Sequence, residues 1–169
     1  FLAAAAQQFP NAALMGLDIN PRHLDIARQR MLKHPRLTLV SGSFFKHDWS
    51  AELNDLKSPL LVIGNPPWVT NAELGILGSD NLPEKQNFQN MKGLDALTGK
   101  SNFDISEWML LQNIEWLRAK GGYLAVLCKT AVARKINASS WKKGNGSADA
   151  RIYRSDALTH LGAAVNACL

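Results

Sequence analysis

The stretch LLVIGNPPWVT, Leu60 to Thr70, decides how the chain is read. Its first five residues are apolar or glycine, the composition of a short strand covered on both faces. The chain then turns polar and stiff at Asn65, Pro66, Pro67 and Trp68. Two prolines fix two φ angles and remove two backbone donors, so the strand stops and the loop is rigid. A rigid loop suits a place where something must be held still. The same kind of run recurs as AALMGLD (12–18), LTLVSG (37–42) and YLAVLC (123–128). Helical stretches separate these runs. Asn20 caps and Pro21 opens a helix running to about Lys33, with Leu24, Ala27, Met31 and Leu32 near helical spacing. His34-Pro35 stops it. Residues 104–119 form a second helix, capped by Asp104, with Ile105, Trp108, Met109, Leu111 and Leu117 available for burial. Gly121-Gly122 ends it. TAVARKI starts a third helix, and RIYRS and AAVNACL are weaker strand candidates. Continuous apolar strands alternating with helices predict an α/β fold, a mostly parallel open sheet with helices on both faces. Ligands in such folds sit beyond the C-terminal ends of the strands. Asp18, Ser43, Asn65 and Lys129 all fall there.

The bulk properties agree with one compact domain over residues 1–169. A long polar segment, about 70–103, is too long for a simple connection. It carries Lys85, Lys92 and Lys100 along with Asn71, Asn81, Asn87 and Asn90, and is read as a clamp on nucleic acid or a segment ordered by substrate. The chain has 46% hydrophobic and 20% charged residues, as expected of a domain with its own core. No apolar run approaches the about 18 residues of a membrane span. Cys128 and Cys168 fit no zinc or redox spacing; Cys128 lies in an apolar run and reads as a buried thiol, which points to a reducing, cytoplasmic setting. The four histidines (His23, His34, His47, His160) show no ligand spacing, so no metal is expected. The net charge is +5, and the stretch from Lys129 to Arg154 holds seven basic residues against Asp149 alone. Such a run suits a polyanion, and equally a solvated surface.

Two strand ends carry chemistry. A carboxylate at Asp18 can accept from both hydroxyls of a ribose, or can serve its own turn and the next helix N-terminus. At the Asn65 loop, an amide oxygen and an adjacent backbone carbonyl are both acceptors. Two acceptors side by side suit an exocyclic or amide NH₂, whose nitrogen gains electron density as both hydrogens are drawn away. Trp68 offers a flat face for a planar group. The competing reading is a rigid turn with a packed tryptophan.

NPPW after a strand resembles motif IV of the S-adenosyl-L-methionine-dependent amino methyltransferases. GLDINP (16–21) is similar to their motif II, which implies that Asp18 and Ile19 meet the cofactor. VSGSFF (40–45) is similar to motif III, where Ser43 stands in place of the usual acid and Phe44 would pack on the adenine. FDISEWMLLQNIEWLRAKGGYLAVLCK (103–129) resembles motifs V and VI. The whole pattern looks most like the N6-adenine DNA methyltransferases of restriction-modification systems, with a Rossmann-like class I domain. That resemblance implies a flipped adenine of duplex DNA stacked on Trp68, its amino group held by Asn65 and the Pro66 carbonyl, with Pro67 keeping the carbonyls outward. Asn65 would also border the cofactor. Protein-glutamine methyltransferases carry a similar loop for a side-chain amide, and RNA base methyltransferases and an inactive nucleic-acid-binding module are further alternatives. Oligomeric state is not legible.

The family's glycine-rich cofactor loop, expected about one helix before Asp18, has no counterpart here, and FLAAAAQQFP reads as the helix that follows it. This chain alone is therefore expected to bind S-adenosyl-L-methionine weakly. Titration calorimetry on residues 1–169 should show little or no heat; an affinity matching an intact family member would overturn that expectation.

Overall fold

In the computed structural model, residues 1–31, 34–70, 104–142 and 149–169 are described. The chain divides into two compact units, Phe1–Lys57 and Ser58–Leu169.

The first unit runs α1 (Leu2–Gln8), β1 (Leu14–Asp18), α2 (Pro21–Arg30), β2 (Leu37–Ser41) and α3 (Ser50–Asp55). β1 and β2 pair in parallel, with Leu14 opposite Leu37 and Asp18 opposite Ser41. Their C-terminal ends therefore emerge side by side. α2 begins as expected: the Asn20 side chain accepts from the Arg22 amide at 3.0 Å, and Pro21 takes the first helical position. A cap of this kind contributes about 1 kcal/mol. Leu24 and Met31 are buried, with Ala27 half-buried on the same face. The helix ends at Arg30, earlier than expected; Leu32 and Lys33 lie outside the described residues. Gly16 lets α1 come close, because a Cβ there would lie 2.6 Å from Leu2 Cδ1.

The second unit runs β3 (Leu60–Gly64), α4 (Ile105–Lys120), β4 (Gly122–Val126), β5 (Cys128–Lys129), α5 (Thr130–Lys142), β6 (Arg154–Ser155), α6 (Ala157–Leu161) and β7 (Ala167–Cys168). β3 and β4 pair in parallel from Leu60 opposite Gly122 to Gly64 opposite Val126. The expected long segment, 71–103, lies outside the described residues. Its core gathers Leu110 from α4, Val126 and Cys128 from the strands, Val132 and Ile136 from α5, and Cys168 from β7.

Two expectations are corrected. The described strands do not form one open sheet: β1–β2 and β3–β4 are separate parallel pairs, and β5, β7 and β6 form a small antiparallel sheet in that order. The terminal strands are only two residues long, too short to extend a parallel ladder. In α4, the buried positions are Ile105, Ser106, Glu107, Leu110 and Asn113, while Trp108, Met109, Leu111 and Leu117 are only half-buried. Polar residues enter this interior where they find partners. Ser106 donates to the Asp104 carboxylate, and Glu107 takes the Lys135 ammonium at 2.8 Å.

Gly121 and Gly122 end α4 and start β4 with positive φ. A Cβ on Gly122 would lie 2.0 Å from the Leu60 carbonyl oxygen, at a φ of +147° that side chains rarely adopt. Gly122→Ala is expected to destabilise the chain by about 2–4 kcal/mol, the scale of a backbone clash added to dihedral strain. Urea denaturation reads the change; an unaltered midpoint would show that β3 and β4 do not pair in this register.

Candidate active site

Asn65 to Trp68 follow β3 directly, and the loop is tied at both ends to one residue. The Leu127 amide donates to the Gly64 carbonyl at 3.0 Å. The Leu127 carbonyl accepts from the Trp68 indole Nε1 at 3.3 Å. Further on, the Ile105 amide donates to the Val69 carbonyl at 2.9 Å, and Thr70 pairs with Asp104 as an antiparallel bridge. Pro66 is buried, Pro67 exposed and Trp68 half-buried. Asn65 is exposed, and among the described residues its carboxamide makes no hydrogen bond. The loop thus has a fixed frame and a carboxamide left open to a ligand.

Asp104 lies where these ties converge. One of its carboxylate oxygens accepts from the Ser106 amide at 3.0 Å and from the Ser106 hydroxyl; the other accepts from Lys129 Nζ at 2.8 Å. Sequence reading singled out Asp104 only as a helix cap and Lys129 only as a strand-end residue. Their pairing joins positions 25 residues apart, which no local pattern reveals.

In the first unit, Asp18, Ile19, Ser43 and Phe44 gather at the C-terminal end of the β1–β2 pair, where the Gly42 amide donates to the Asp18 carbonyl at 3.1 Å. The Asp18 carboxylate accepts from the Asn20 amide at 2.8 Å through one oxygen and meets His23 Nδ1 at 3.0 Å through the other. It therefore does serve its own turn. A carboxylate offers about four lone-pair directions, so capacity for a diol remains. Ile19 is exposed. The Ser43 hydroxyl accepts from the Phe45 amide at 3.2 Å. Phe44 packs against Phe45 and Trp49 with ring centroids 5.8 and 5.3 Å apart, and its carbonyl takes the Trp49 indole N–H at 3.0 Å. His47 stands edge-on to Trp49 and reaches Glu52 at 2.9 Å. This aromatic cluster escaped the sequence reading, although the spacing of FFKHDW (44–49) carries it.

The basic run from Lys129 to Arg154 is partly neutralised. Lys129 pairs with Asp104, Lys135 with Glu107 and Arg151 with Asp149. Two of the three acids come from the start of α4, outside the run. Arg134 and Arg154 are exposed. No group of three or more metal-ligating side chains occurs among the described residues, and no described helix is long and apolar enough to cross a membrane.

Along its whole length the chain is 42% identical to the Type II methyltransferase M.NspV of Nostoc sp., covering 36% of that protein. The chain belongs to the methyltransferases of the restriction-modification type. Over 124 residues it is 30% identical to a release factor glutamine methyltransferase of Geobacter sulfurreducens, covering 39% of it. A release factor glutamine methyltransferase of Vibrio cholerae is 29% identical over 66 residues. The chain thus spans well under half of each of these relatives. No family model and no solved structure matches it.

Cys128 and Cys168 are free, buried and directly opposite in the β5–β7 pair. Burial first, then the neighbouring Cys168 thiol, push the Cys128 thiol from 9.0 up to about 12. In the unfolded chain this thiol ionises near its ordinary value, so its contribution to stability is full below about pH 9 and is lost as pH rises toward 12, by at most about 1.4 kcal/mol per pH unit. The expected outcome is that the wild-type chain loses stability to urea more steeply than Cys128→Ala between pH 9 and 11. Parallel profiles would show that Cys128 ionises as readily folded as unfolded.

Proposed function

We propose that this methyltransferase transfers a methyl group from S-adenosyl-L-methionine to the exocyclic N6 amine of adenine in duplex DNA, and does so in the cytoplasm. The observation that carries the reading is the Asn65 carboxamide, exposed on a loop whose two ends are fixed to Leu127. Similarity to a Type II methyltransferase along the full chain supports it. On this reading, residues 1–169 are one part of a Rossmann-like catalytic domain.

The cofactor, when bound, supplies an electrophilic methyl group on a sulfonium. The residues present fit it. Asp18 retains acceptor capacity beside exposed Ile19, and Ser43 and Phe44 follow the adjacent strand. Asp18 would hold the ribose hydroxyls, with Ile19, Ser43 and Phe44 around the adenine. At the target, Asn65 Oδ1 and the Pro66 carbonyl would accept the two amine hydrogens, raising electron density on nitrogen along the direction of attack. The flipped base would lie against Trp68. Pro66 and Pro67 keep this pair of acceptors from relaxing, so little reorganisation is needed at the moment of reaction. The nitrogen would take the methyl carbon as the carbon–sulfur bond breaks with its electron pair left on sulfur, and would give up one proton to water.

A second reading has its own support in the similarity to release factor glutamine methyltransferases. A glutamine side chain presents the same NH₂ to the same two acceptors. The test incubates the protein, as expressed from its own gene, with methyl-labelled S-adenosyl-L-methionine and a mixture of duplex DNA, RNA and protein. Digestion and mass spectrometry then identify the labelled species. Label is expected in 6-methyladenine from DNA. Label in glutamine would replace the substrate but keep the loop chemistry, and no label would defeat both readings. Asn65→Ala should lower turnover by about 100-fold or more, as for other groups that meet developing charge. Asp18→Ala should raise the cofactor KM with a smaller change in kcat.

A further inference from the structure

Among the described residues, hydrogen bonds from the Asn65–Trp68 loop and the two residues after it lead to Leu127 and to the start of α4. Gly64 and Trp68 bond to Leu127. Val69 and Thr70 bond to Ile105 and Asp104. These two places are joined by core packing of Leu110 with Val126 and Cys128 and, in polar terms, by the ion pair of Asp104 with Lys129 at 2.8 Å; Lys129 lies two residues beyond Leu127. The contacts therefore close a ring: along the loop, across the bridge to Asp104, through the pair to Lys129, and back along the strand to Leu127.

The pair has the character of a fixed strut. The Asp104 side chain is 10% exposed and that of Lys129 27%. The other Asp104 oxygen is held by the Ser106 amide and hydroxyl, so the carboxylate cannot rotate toward water without breaking the cap. Partly buried, fully hydrogen-bonded charges hold geometry better than exposed ones, and removing one partner strands the other. A cap alone would explain Asp104 but not Lys129. Lys129 extends from β5, just past Leu127, to the carboxylate whose own backbone is bridged to Thr70 at the end of the loop.

We infer that Asp104 and Lys129 are positioning residues, whose ion pair holds the Asn65–Trp68 loop in register with the strand beneath it. The consequence for turnover rests on the amine-methylation reading above. The structural part does not. Displacing a reacting group by about 1 Å costs on the order of 100-fold in rate. Loss of the strut should therefore lower kcat by about tenfold or more, while the cofactor KM stays within about twofold, because cofactor contacts are assigned chiefly to Asp18, Ile19, Ser43 and Phe44.

Three variants separate the strut from the cap. Asp104→Asn keeps a good capping oxygen but loses the charge. Lys129→Met removes the ammonium and keeps most of the stem, and Lys129→Arg restores a cation. The first readout is the ¹⁵N–¹H indole resonance of Trp68, assigned with Trp68→Phe, which follows its hydrogen bond to Leu127. The Trp49 indole, bonded to the Phe44 carbonyl in the other unit, serves as the control for folding. Asp104→Asn and Lys129→Met should shift the Trp68 resonance and leave that of Trp49 in place, and Lys129→Arg should bring Trp68 back toward its wild-type position. An unmoved Trp68 resonance in Lys129→Met would overturn the inference, and this variant carries the test alone if Asp104→Asn fails to fold. A moved resonance with unchanged kcat would overturn the positioning role. If the wild-type protein methylates no amine at all, the proposed function falls, and the indole readout still decides whether the strut holds the loop.

Discussion

Leu127 is the fixed point of the second unit. Its amide holds the last residue of β3 and its carbonyl holds the indole that closes the loop. The two groups lie in adjacent peptide planes on either side of one α-carbon, so both ends of the loop are held to a single residue. The prolines between them remove most of the remaining freedom. What is left exposed is a carboxamide with its acceptor unspent, and that is the chemistry the loop can offer. Leu127 itself is held because β4 pairs with β3 along five residues, and that pairing needs Gly122, where any side chain would meet the Leu60 carbonyl.

Charge is handled by the same economy. Counted along the chain, the region after Lys129 looks like a surface made for polyanions. Folded, Lys129 and Lys135 turn back to Asp104 and Glu107 at the start of α4, and Arg151 meets Asp149. Net charge still favours a polyanionic partner, since +5 is a property of the whole chain. The specific residues that would meet such a partner are fewer than the count suggests. The charges of Lys129 and Lys135 compensate the buried carboxylates of Asp104 and Glu107, which would otherwise stand alone.

Local signals were legible where one residue and its near neighbours decide the outcome. Asn20-Pro21 opened a helix, Asp104 capped another, Gly121-Gly122 ended it, and Cys128 was buried as its apolar run implied. The end of the strand at Asn65 was legible for the same reason, since two prolines cannot continue a ladder. The short helices α3 and α6 were missed, being too brief to show a period. The expected single open sheet was not found among the described strands, because pairing partners are chosen by packing between distant segments, which an apolar run does not specify. The burial of Glu107 in preference to Trp108 and Met109 was equally hidden, since its partner, Lys135, comes from 28 residues further along the chain.

By itself, the sequence determined a stiff Asn-Pro-Pro-Trp loop at the end of an apolar strand, with an acid at the end of another, because covalent geometry and short-range sterics act within a few residues. Only the tertiary structure decided what holds that loop. Asp104 and Leu127 reach it or its flanks from 34 to 63 residues away, and Lys129 joins through Asp104, by hydrogen bonds and an ion pair that exist only once β3, α4 and β5 have come together. Those contacts depend on three-dimensional proximity, and no period or motif along the chain encodes it.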